Sequence, residues 1–165
     1  MTFILRWPAV LVLFALVAAC GLAALGAAGV LTGYEAPVAQ VQEAQAQAAA
    51  TGAADATWLD VGLLAGAGVF FLIAAIRLIR RTQGFWLWLL GFALYAGRWA
   101  YAQGADVVER LQAINIDLYR DPQALLQDMA SFEAQVGVLA VILIVGVFVA
   151  IVDGADRAYW DKQGA

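Results

Sequence analysis

The sequence predicts an all-α integral membrane protein in which four transmembrane helices form two antiparallel hairpins, with both termini cytoplasmic and short amphipathic helices on the periplasmic side. Three observations predict it. The chain of 165 residues is 64% apolar and 13% charged, against about 45–50% and about 25% in soluble domains. Its apolar residues gather in four runs close to the ~20 residues that a helix needs to cross a bilayer. Its cations and tryptophans gather at the ends of those runs.

The whole chain, 1–165, reads as a single membrane domain. The first span, 7–31, runs from Trp7 to Leu31 with Arg6 as its cationic flank. The second, 58–79, starts at Trp58 and is closed by Arg77, Arg80 and Arg81; the third, 85–102, is interrupted by Arg98; the fourth, 135–152, holds no polar side chain from Val138 to Val152. Residues 80–84 form a cytoplasmic turn too short for anything but a hairpin, and residues 153–165 a cytoplasmic tail. Segments 33–57 and 103–134 fall on the periplasmic side.

Orientation follows from the cations, since Lys and Arg in short loops are retained in the cytoplasm. Arg6, Arg77, Arg80, Arg81, Arg157 and Lys162 face three carboxylates on one side, a net +3; the other side holds three arginines against ten carboxylates, a net −7, and together these make the chain's −4. Trp7, Trp86, Trp88, Tyr159 and Trp160 then lie in the inner headgroup layer, with Tyr34, Trp58, Trp99 and Tyr101 in the outer one, where amphipathic rings sit best. The placement is that of a bacterial inner-membrane, multi-pass protein.

Val17-Ala18-Ala19-Cys20 has the small-residue pattern at which lipoproteins are cut and lipidated. The apolar run continues past Cys20 to Leu31, however, so Cys20 is expected as a packing residue. In 33–57, Pro37 can open and Gly52 close an Ala/Gln-rich outer helix laid against a partner, the equal alternative being a solvated linker that orders on contact. Thr57-Trp58-Leu59-Asp60 is a capping box, with Asp60 structural or, alternatively, an ion-binding carboxylate at the surface. In 103–134, Val107, Val108, Leu111, Ile114 and Leu118 recur at helical spacing, Asp121-Pro122 resets the chain, and Leu125, Leu126, Met129 and Phe132 supply a second stripe.

Small residues allow close helix approach in lipid. Gly62 and Gly66, with Gly68 beside them, and Ala93 with Gly97 mark helix-packing faces; Phe85, Leu89, Phe92, Ile142, Ile144 and Phe148 are expected to face lipid or a partner. Arg98 stands inside a span, which makes Arg98, Trp99 and Tyr101 candidates for a lipid or quinone contact. Its position about one turn from the outer end equally allows snorkelling or pairing with an outer carboxylate.

The chain has no His and one Cys. That excludes His-ligated haem, imidazole zinc sites, dithiol redox centres and Ser-His or Cys-His catalysis, and no cofactor, metal site or catalytic residue is expected. All three prolines lie outside the span interiors, and the spans hold few polar groups, unlike a transporter core. The expected function is therefore that of a non-catalytic accessory or scaffolding subunit in a larger multi-subunit complex, an energy-transducing, electron-transport one in particular. Its partners are other membrane subunits and lipids, with no nucleic acid. The alternatives are a small pore or transporter component acting as a homo-oligomer, and a quinone- or lipid-binding protein centred on Arg98. The outer carboxylates Asp106, Glu109, Asp117 and Asp121 form an acidic surface that suits a basic periplasmic partner such as a c-type cytochrome.

Overall fold

The computed structural model describes residues 2–33, 39, 42, 43, 46, 57–114, 119 and 131–163, with side chains described outside 2–5 and 160–163. Among the described residues the fold is carried by the helices α1 (Thr2–Thr32), α2 (Trp58–Ile79), α3 (Phe85–Gln103), α4 (Val107–Gln112) and α5 (Phe132–Gln163). α1, α2 and α5 are long and apolar enough to cross a membrane. α3 falls short of that apolar character because Arg98 and its tryptophans and tyrosines interrupt it.

The four long helices form a ring in chain order, each packed on its neighbours, with α5 closing onto α1. α3 runs back along α2, since Gly91 meets Phe71, Gly66 meets Leu94 and Arg98 reaches Asp60. α5 in turn runs back along α3, with Gly146 against Trp88 near one end and Gln135 bonded to Trp99 at the other. Phe71, Leu13, Leu78, Ile142, Val10 and Val149 fill the centre. Outside it, Leu11, Leu143, Ile144 and Val147 stay largely exposed, a surface suited to hydrocarbon rather than water.

Two boundaries differ from those the apolar runs predict. α1 starts at Thr2 and passes through Pro8, which sits in the second turn and forgoes a single ladder bond close to the helix end. α5 runs on to Gln163, so the first part of the expected tail is helix. Its carboxylates Asp153 and Asp156, three residues apart, share a helix face and turn inward.

Two expectations about side chains are corrected. Trp88 does not present its ring outward as a belt residue would: it is buried, stacked between Phe85 and Phe92 at centroid distances of 5.6 and 5.5 Å and pressed on Gly146. Ile142 is fully buried, and Phe85, Leu89 and Phe92 pack on the core, leaving Ile144 and Phe148 as exposed members of that set. A ring facing a glycine fills the gap between two helices and leaves no room for a second side chain.

In the segment between α1 and α2, Ala39, Gln42, Glu43 and Ala46 are helical, while Pro37 and Gly52 lie outside the described residues. The first amphipathic stripe yields the six-residue α4, with Val108 and Leu111 exposed and Leu118 outside the described residues. Of the second stripe, Leu125, Leu126 and Met129 lie outside the described residues, and Phe132 opens α5 instead of closing a separate helix.

The turn after α2 is a Schellman motif. The amide of Thr82 donates to Arg77 O and that of Arg81 to Leu78 O. Arg81 occupies the left-handed position, φ 56°, which glycine normally takes and which costs another residue about 1–2 kcal/mol. Gly84 follows, where an added Cβ would lie 3.0 Å from Ala74 O.

Candidate functional site

The polar side chains gather at the two ends of the ring, and three charged residues among those described are buried: Arg6, Asp60 and Asp153. Each is tied to another helix. Burying a charge without a partner is prohibitive in a low-dielectric medium, so these ties determine how the helix ends meet.

At the end holding Arg6 and the Arg77, Arg80 and Arg81 cluster, Arg6 Nη2 donates to both carboxylate oxygens of Asp156, at 2.5 and 2.7 Å. One turn earlier on α5, Asp153 Oδ2 accepts the backbone N–H of Gly84 at 2.8 Å and of Phe85 at 2.7 Å. Gly84 is the N-cap of α3 and has no side chain with which to cap it. A carboxylate from a distant helix therefore satisfies amides that a local Ser or Asp usually serves. Asp153 Oδ1 and Arg6 Nε are buried with no hydrogen-bond partner.

At the opposite end, Asp60 accepts the Thr57 backbone N–H at 2.9 Å and the Thr57 hydroxyl at 3.0 Å through one oxygen, and Arg98 Nε at 3.2 Å through the other. The carboxylate thus serves as helix cap and as counter-ion for α3 together. Trp99 Nε1 and Gln103 Nε2 both donate to Gln135 Oε1 at 2.9 Å, joining α3 to α5. Arg110 of α4 donates to Gln103 at 2.8 Å and lies 4.7 Å above the Phe132 ring, which also packs on Trp99. Tyr119 donates to Glu133 O at 2.8 Å. Burial, and then the Glu133 charge, push its pKa upward, so it keeps its proton at neutral pH.

Of the expected ligand contacts, Arg98 is engaged by Asp60, Trp99 is half-buried on Gln135, and Tyr101 is exposed without sharing their cluster. Among the helix-packing glycines, a Cβ added at Gly66 would lie 3.3 Å from a Leu94 methyl, whereas a Cβ on Gly62 or Gly97 would meet nothing within 4 Å. Tight approaches between helices also fall at Gly68 on Cys20, and the tightest at Gly91 on Phe71 and Gly146 on Trp88. Cys20 is buried in that contact. On the acidic surface, Asp106 and Glu109 are exposed on and beside α4, while Asp117 and Asp121 lie outside the described residues. The role of Asp153 and Asp156 escaped sequence reasoning, although their i, i+3 spacing just past an apolar run was a usable signal.

The fold and its ties define an α-helical bundle of the membrane-protein class, held at both ends by charged and polar side chains. No family model, no curated protein and no solved structure matches the chain.

Proposed function

We propose that this chain is a non-catalytic accessory subunit that braces a larger bacterial inner-membrane complex, of the energy-transducing kind. In this reading all four long helices cross the membrane as two antiparallel hairpins, with the Arg6 and Arg81 end in the cytoplasm. The observation that carries it is how the buried charges are used. Arg6, Asp60 and Asp153 are spent on Asp156, on Thr57 and Arg98, and on the α3 amides, an arrangement that supports rigidity more than ligand chemistry. Facing outward, Gly62 and Gly97 offer open notches to helices of other subunits.

Isolation of the tagged chain in a mild detergent tests this reading. Co-purification of stoichiometric membrane subunits is the expected result, and a species at the monomer or homo-oligomer mass alone would overturn it. The outer carboxylates Asp106, Glu109, Asp117 and Asp121 fit recruitment of a basic periplasmic protein. Neutralising them should slow its association, by a margin that shrinks as salt rises; a rate indifferent to both leaves them a solubility role.

A further inference from the structure

Between the first turns of α1 and the end of α2 lies a cleft of about 180 Å³ lined by Arg6, Trp7, Val10, Ile79 and Arg81. We propose that this cleft holds the phosphate of an anionic phospholipid. The inference rests on membrane residence, and the experiment below separates the two.

Two arginines, Arg6 of α1 and Arg81 of the turn after α2, line the cleft, and guanidinium is the side chain best matched to phosphate oxygens. Arg6 is held by Asp156 through Nη2, while its Nε, buried, has no partner. Arg81 makes no hydrogen bond or ion pair through its side chain among the described residues, and it occupies a left-handed position where glycine would relieve the backbone. A cation kept at the expense of backbone strain points to use of its side chain. Val10 and Ile79 add apolar lining suited to the start of an acyl chain, and Trp7 an indole of the kind that favours the headgroup layer. Basic pockets between helix ends at a membrane surface are where anionic headgroups bind.

The test uses the full chain in a nonionic detergent and reads thermal unfolding during titration with dioleoyl phosphatidylglycerol, dioleoyl phosphatidylcholine or inorganic phosphate. Phosphatidylglycerol should raise the midpoint, with the other two having little effect. Arg81→Gly should weaken the phosphatidylglycerol response about fivefold, the worth of one cation at an anionic surface, while leaving the lipid-free midpoint unchanged or higher. Arg80→Gln, which removes the same charge from a residue outside the cleft lining, should retain the response. Equal losses in the two variants, or equal protection by phosphatidylcholine, would overturn the site. Equal protection by inorganic phosphate would overturn the lipid assignment. Recovery of the chain in the detergent-extracted fraction tests membrane residence separately.

Discussion

Asp153 of α5 caps α3 from a distance of 69 residues in sequence, its carboxylate accepting the backbone N–H of Gly84. The turn between α2 and α3 is thereby anchored to the last long helix, and Arg6 on Asp156 adds α1 one turn further along. All four long helices are connected at this end through two carboxylates.

Asp153→Ala should leave two amides without an acceptor and destabilise the bundle by about 2 kcal/mol, within the range for orphaned buried donors and lost caps. Asp153→Asn, which keeps one acceptor oxygen, should lose about half as much. Unfolding by sodium dodecyl sulfate in mixed micelles measures both; equal stability of wild type and Asp153→Ala would remove the cap from the account.

The glycines separate internal from external packing. Gly146→Ala would drive a Cβ into the Trp88 ring, forcing the ring out of its stack at a cost of about 1–3 kcal/mol. Gly62→Ala and Gly97→Ala meet open space, so the isolated chain should gain up to about 1 kcal/mol from improved helix propensity. If Gly62 and Gly97 face another subunit, the same two changes should reduce co-purification while sparing the isolated chain. Native mass after mild extraction distinguishes these outcomes.

Asp60 and Arg98 should behave as a coupled pair. A double-mutant cycle of Asp60→Asn and Arg98→Gln is expected to give a coupling of about 1 kcal/mol, as Arg98 is partly exposed and screened. Zero coupling would detach Arg98 from Asp60 and revive the reading in which it grips a quinone or lipid.

Reporter fusions after Gly84 and Gly164 should give cytoplasmic signals, and fusions at Gly52 and Asp121 periplasmic ones. The cation distribution demands this sign, because translocating Arg77, Arg80 and Arg81 together is disfavoured. A periplasmic signal at Gly84 would reverse the orientation.

Much of the helical architecture was legible locally. The core of α2 and the apolar middles of α1 and α5 are continuous apolar runs, and α3 is apolar from the Arg80 to Gly84 turn as far as Arg98. Backbone hydrogen bonding without water requires such runs to be helical whatever they pack against. The candidate site was legible in part: Arg98 was marked by its position, and a nearby outer carboxylate was the natural partner.

The sequence by itself determined that this chain is helical and apolar, because helix length and hydropathy are properties of consecutive residues. Only the tertiary structure decided that Trp88 fills the gap at Gly146, that Gly62 and Gly97 stay open within the chain, and that Asp153 and Asp156 are ties rather than tail charges. Those outcomes depend on which helix faces which and at what height. Apolar stripes on four similar helices admit several such arrangements, and the one adopted is selected by contacts between residues as far apart as Arg6 and Asp156, 150 positions along the chain, which leave no periodic mark in the sequence around either residue.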